Sequence, residues 1–338
     1  MLSGINGMKN KYRELCKKEA SIPIFCRDWW FDALCGENNW NVILIEKNGE
    51  IVGALPYYLT NGPLGFSQIV MPKLTQHNGP WIKYPENQNY INRLSYEKEV
   101  MDSIIGQLDN LNVAYFSQHF HYSITNWLPF AWKGFRQTTR YTYVIENLSD
   151  LDRVYAQIEK TKKAHIKKAA KLLNVKFDLS SGEFYDHHKR SLVKQGKIIN
   201  YSPALLHELF DQAYKRGQGK SIFGVDSQGN IHGAKFLVWD EISAYQLIGA
   251  YDPEFRNSGV SALLGWESIQ YVAPHTQRFD FVGSMVEVNE RPYRGFGGVQ
   301  KPYFNISKIY SPEYLMRDGY NQFKKGLKQK IKKLIGRS

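Results

Sequence analysis

Two stretches of the chain share one layout of apolar and polar positions. In the first, apolar runs at 42–45 and 51–59 flank Asn48-Gly49, a dipeptide that accepts positive φ and so predicts a β-hairpin. In the second, a hairpin is written around Asp226-Ser227-Gln228-Gly229. At an offset of 180 residues, Gly49-Glu50-Ile51-Val52-Gly53-Ala54 and Gly229-Asn230-Ile231-His232-Gly233-Ala234 share the pattern G-x-I-x-G-A. The continuation corresponds as well. A helix over 97–108 carries Val100, Ile104, Ile105 and Leu108 on one stripe and precedes a strand at 113–116; a helix over 260–271 carries Leu263, Leu264 and Ile269 and precedes a strand at 279–282. Strands, a crossing helix and a further strand make the crossover unit of a mixed α/β sheet.

Two related α/β domains in tandem are therefore expected, at 1–148 and 149–318. The junction follows the aromatic strand 141–144 and precedes a helix opened by Ser149 or Asp150. That helix is predicted over 151–173, about 35 Å long if unbroken, turning basic through Lys160, Lys162, Lys163, Lys167, Lys168 and Lys171. At the far end, residues 319–338 predict a third unit. Tyr320, Phe323, Leu327, Ile331, Leu334 and Ile335 recur at helical spacing with lysines on the other faces, the pattern of a helix that lies on an anionic membrane surface or packs against the domain.

Composition fits a globular, aromatic-rich protein, with 43% hydrophobic and 14% aromatic residues among 338. The formal charge of +12 belongs to the second half: 1–150 hold 14 basic and 14 acidic side chains, 151–338 hold 30 and 18. Such a surface favours an anionic partner, whether phosphate, nucleic acid or acidic membrane. No apolar run approaches the ~20 residues needed to span a bilayer, and the N-terminus has no secretory-signal pattern. A cytoplasmic location is expected, at the inner face of the membrane if the tail docks there. Cys16, Cys26 and Cys35 have no metal-chelating spacing, and no metal site is expected.

After the apolar strand 245–250 comes Arg256-Asn257-Ser258-Gly259-Val260-Ser261, then a helical run. Small residues there let backbone N–H groups converge on a phosphate at the helix start, with Arg256 as an added cation. The segment resembles the R/Q-x-x-G-x-G/A pyrophosphate loop of the GNAT acyltransferases, with Ser261 where that family prefers Gly or Ala. Phe279-Asp280-Phe281-Val282-Gly283-Ser284-Met285 and residues 287–303 resemble the terminal part of the GNAT-like domain of Fem-type peptidoglycan-bridge aminoacyltransferases. His165-Ile166-Lys167-Lys168-Ala169-Ala170-Lys171 is similar to their I-R-K-A-x-K helix. The resemblance implies two tandem GNAT-like domains, with acyl-CoA bound as co-substrate in the second, since the first has no such loop.

For the chemistry, the resemblance implies that a backbone N–H between Ile248 and Tyr251 meets the thioester carbonyl and that Tyr293 is the acid to the thiolate. Glu287 is the expected general base, with Asp280 next. The loop around Gln76 and His77, with Trp30 and Tyr57, is a candidate acceptor pocket for a sugar, and Lys167 a further candidate contact. The leading reading is an N-acyltransferase acting on an amine of a cell-envelope sugar or peptide precursor, free or lipid-linked. The alternatives are a transferase using aminoacyl-tRNA, held by the basic helix, and a non-catalytic adaptor that docks on membranes.

Overall fold

The computed structural model describes residues 2–62 and 65–316; the predicted tail helix at 319–338 lies outside the described residues. Helices α1 (Leu2–Lys18) and α2 (Asp28–Cys35) lead into β1 (Trp40–Lys47) and β2 (Glu50–Asn61). Asn48 and Gly49 turn between these strands at φ 51° and 82°, the backbone that a two-residue hairpin with right-handed twist demands. The first half continues through β3 (Ser67–Val70), β4 (Trp81–Ile82), α3 (Tyr90–Asp109), β5 (Tyr115–His119), α4 (Leu128–Trp132) and β6 (Arg136–Ile145).

The long basic helix is two. Between α5 (Leu151–Gln157) and α6 (Lys160–Leu172), Ile158 and Glu159 are extended, with ψ of 135° and 140°. Ile158 is buried, and the Glu159 N–H donates to the Gly295 carbonyl at 3.0 Å. A buried anchor and a distant backbone acceptor therefore outweigh the local helical pattern, and the break turns α6 onto the second half.

There the chain runs through β7 (Asn174–Phe177), α7 (Ser181–Val193), α8 (Pro203–Lys215), β8 (Gly219–Val225), β9 (Ile231–Trp239), β10 (Ser243–Tyr251), α9 (Val260–Val272), β11 (Arg278–Asp280), α10 (Glu287–Arg294) and β12 (Val299–Ile309). All the strands join one mixed sheet in the order β1-β2-β3-β5-β12-β6-β11-β10-β9-β8-β7, with β4 on β2. Each half repeats hairpin, strand, helix, parallel strand, with β3 parallel to β5 and β10 parallel to β11. The sheet is continuous because β12 crosses back and pairs antiparallel with both β5 and β6. One face of the second half packs Leu263, Leu264 and Ile269 of α9 with Ile166 of α6; the other packs Leu206, Leu209 and Phe210 of α8 with Trp29 and Trp30 of α2. Alternating side-chain direction along the strands supplies both faces.

Candidate functional site

The parallel ladder between β10 and β11 is short. It joins Ser243 to Arg278, Ala244 to Phe279 and Tyr245 to Asp280, and there β11 ends while β10 runs on to Tyr251. Just past the last pair, the register of β10 against β9 slips between Gln246 and Ile248, a bulge that bends the strand. Beyond Tyr245 the β11-facing edge of β10 has no ladder partner among the described residues, so the two strands part there and the edge from Gln246 to Tyr251 has no strand beside it. The Ile248 side chain itself is buried, and the Tyr251 ring lies where side chains on Gly233 and Gly249 would have to be, 2.7 and 3.0 Å from their Cβ positions. The second glycine of the repeated motif thus provides the bed for Tyr251.

Past this opening the chain reaches α9. Arg256 and Asn257 are exposed, the Ser258 hydroxyl accepts from the Val260 N–H at 3.3 Å, Val260 is buried, and Ser261 is exposed in the first turn. Gly259 caps the helix at φ 83°, and a Cβ there would stand 2.7 Å from the His165 carbonyl of α6. Lys168 Nζ donates to the Asn257 carbonyl at 3.0 Å. The basic helix therefore backs the loop, and Lys167 is exposed on it.

On the α9 face of the opening lies a buried polar chain that sequence reasoning missed. Lys235 of β9, 1% exposed, donates through Nζ to Gln246 Oε1 at 2.5 Å, and Gln246 Nε2 donates to the Tyr293 hydroxyl at 3.3 Å. Burial, with the Lys162 charge adding to it, holds the Lys235 amine well below its ordinary value. Burial pushes the Tyr293 phenol up to about 12, and its ring stacks on Phe281. The available signal was a lysine set within the otherwise apolar run 234–239.

The opposite face carries a second polar cluster. Asp280 is fully buried; its Oδ1 accepts from Thr142 Oγ1 at 2.5 Å and from the Val282 N–H at 2.9 Å, and its Oδ2 has no protein partner. Burial raises this carboxyl to about 6, against the pull of those two hydrogen bonds. Nearby, the Tyr303 hydroxyl accepts from Gln76 Nε2 and Arg140 Nε, both at 3.2 Å. His77 is buried between Phe25, His121 and Tyr245, with both ring nitrogens lacking a protein partner and its pKa held well down by burial. Among the described residues no His, Cys, Asp and Glu group is arranged to hold a metal ion.

Other expected residues stand elsewhere. Glu287 is exposed in the first turn of α10. Trp30 is wholly buried, its indole donating to Thr75 Oγ1 at 3.0 Å, and Tyr57 is buried in the first-half core with Leu55 and Ile69. Both rings face protein, so neither offers a surface on which a sugar can stack.

The first half has its own splay, where β3 leaves β5 after Ile69↔Phe116. It is closed by the segment that follows: Met71 Sδ and the Gln76 carbonyl meet the His119 N–H and Nδ1 at 3.2 and 3.1 Å, and the Asn78 N–H donates to the His119 carbonyl at 2.6 Å. The two splays arise from the same succession of elements and differ in what fills them.

Residues 131–293 match the family model described as an acetyltransferase (GNAT) domain. No curated protein matches the sequence. Among solved structures, FemX aligns with 88% of this chain and 95% of its own at a TM-score of 0.65 and 11% identity. L-PGS from Bacillus licheniformis aligns over 91% and 94% at 0.51 and 12%, and a tandem GNAT protein from the clavulanic acid biosynthesis pathway over 92% and 96% at 0.50 and 11%. At such identities the likeness is one of fold. The opening between β10 and β11, the bulge beside it and the Gly259-headed helix all fall within the matched residues, and the chain carries a GNAT acyltransferase domain in a Fem-like fold.

Proposed function

We propose that the protein transfers an acyl group from a CoA thioester to an amine of a cell-envelope sugar or peptide precursor, with donor and acceptor meeting where β10 parts from β11. The observation that carries this reading is the opening itself: unpaired β10 backbone on one side, Gly259-headed α9 at its end, and a buried acid and a buried phenol on opposite faces. The pyrophosphate lies against residues 256–261, with Arg256 and Lys168 as neighbouring cations. The closed splay of the first half supports a single donor site.

In this reading Asp280 takes the proton of the incoming ammonium, and a β10 N–H between Ile248 and Tyr251 stabilises the oxyanion. Tyr293 protonates the departing thiolate, so an amide and free CoA thiol result. Asp280 replaces Glu287 as the preferred base, because its carboxyl at about 6 stands close to neutral pH. The cluster of Gln76, His77, His119, Arg140 and Tyr303 on the Asp280 face supports a polar acceptor there.

Arg256→Ala is expected to weaken CoA binding roughly tenfold, the worth of one charge-assisted hydrogen bond, with the thermal transition unchanged; calorimetry reading equal affinities in both proteins sinks the donor assignment. The exposed lysines of α6 beside the loop favour a second reading, aminoacyl-tRNA as donor, which requires tRNA binding that weakens steeply with salt. For a lipid-linked acceptor, the full chain is expected to co-sediment with anionic but not neutral vesicles, and deleting 319–338 to abolish this while CoA binding persists. Failure to sediment at low salt removes the membrane role.

A further inference from the structure

We propose that Lys235 and Gln246 are positioning residues for Tyr293, fixing the phenol so that its proton stays available to the reaction. The inference rests on the reading of Tyr293 as the acid.

The argument follows from what each group can donate and accept. Lys235 Nζ has hydrogens to give in either protonation state, and it donates one to the Gln246 carboxamide oxygen, 2.5 Å away. That choice aims the carboxamide nitrogen at Tyr293, 3.3 Å away, and this nitrogen can only donate. The phenol oxygen accepts there, and its own hydrogen is left for a third partner. Were the carboxamide turned over, its oxygen would take the phenol hydrogen and withhold it. The hydrogen bond from Lys235 to the carboxamide oxygen opposes that turn.

Packing alone gives no reason for an amine at this position. Lys235 is 1% exposed in β9, and an apolar side chain of similar volume avoids the desolvation of a buried amine. Among the described residues no carboxylate pairs with it. From α6 comes Lys162, its Nζ 4.5 Å from the Phe296 ring centre and with Glu159 as its own attractive neighbour. From β10 comes Tyr251, which faces Tyr293. On α10, Glu290 is engaged by the Tyr143 hydroxyl at 2.5 Å and by Arg294 at 2.9 Å. During transfer the Tyr293 O–H bond breaks and the S–H bond of CoA forms. The phenolate left behind keeps the Gln246 N–H, polarised by Lys235 behind it, until solvent returns the proton.

The test places 3-fluorotyrosine at position 293 of the full chain and follows its titration by 19F NMR, in otherwise native protein and in Lys235→Met and Gln246→Leu. Loss of either donor is expected to raise the midpoint by about one pH unit, because the phenolate loses its hydrogen bond. Mere loosening acts in the opposite direction, since exposure brings a buried phenol down toward its ordinary value. A midpoint unchanged or lowered in both variants overturns the proposal. CoA added to the native sample reads the donor site separately: a resonance that ignores CoA while the variants still shift contradicts the donor reading and leaves the positioning role standing.

Discussion

Replacement of Asp280 by Asn is expected to lower turnover on an amine acceptor by about 10²–10⁴-fold, the usual contribution of a general base, and to stabilise the fold at neutral pH. Both effects have one source. The carboxyl is fully buried beside Thr142, with Tyr122, Tyr245 and Tyr303 around it, and burial lifts it to about 6. A folded-state value above the unfolded one of ~3.9 means that the fold prefers the protonated acid. The stability this group contributes is whole below about pH 4 and is lost as pH rises through about 6, a loss on the order of 3 kcal/mol. Asn keeps the oxygen that accepts from Thr142 and cannot ionise. Thermal unfolding followed from pH 4 to 8 should fall in the native protein and stay flatter in Asp280→Asn, while the acidic limb of the rate profile near pH 6 disappears. Native-like turnover in the variant rules out Asp280 as the base.

Gly259→Ala is expected to damage both stability and donor binding. The residue sits at φ 83°, and its Cβ would meet the His165 carbonyl at 2.7 Å, backbone that cannot swing aside as a side-chain tip can. Left-handed backbone costs a non-glycine residue about 1–3 kcal/mol, and displacing α6 adds ~1–3 kcal/mol. Because α6 also brings Lys168 to the Asn257 carbonyl, the shift spoils the loop meant for pyrophosphate. Calorimetric scanning should show a clear drop in Tm, and CoA affinity should fall further than in Arg256→Ala. A variant with native Tm would mean that α6 does not press on the loop as the geometry requires.

The helix α9 was legible to within a residue, because the apolar run after Gly259 leaves no other element to form. Both hairpins were legible from turn residues whose backbone needs are local. The break at Ile158 and Glu159 was not, since what extends the chain there is burial of Ile158 and, 136 positions from Glu159, the Gly295 carbonyl. The insertion of β12 between β5 and β6 was hidden for the same reason: its partners lie far off in sequence, and an edge strand reads like a central one. Of the candidate site, the loop at 256–261, Asp280 and Tyr293 are named by spacing and resemblance. Trp30 and Tyr57 read as stacking surfaces only because composition cannot distinguish an exposed ring from a core ring. Lys235 escaped because a lysine in a strand is ordinarily taken for a solvent-facing residue.

The most direct measurement of the central claim is hydrogen–deuterium exchange of the full chain with and without saturating CoA. Donor binding in the opening between β10 and β11 predicts slower exchange at 246–251, where the strand edge lacks a ladder partner, and at 256–263 around the start of α9. Unchanged exchange in both segments, or protection confined to 67–80 in the first half, contradicts it.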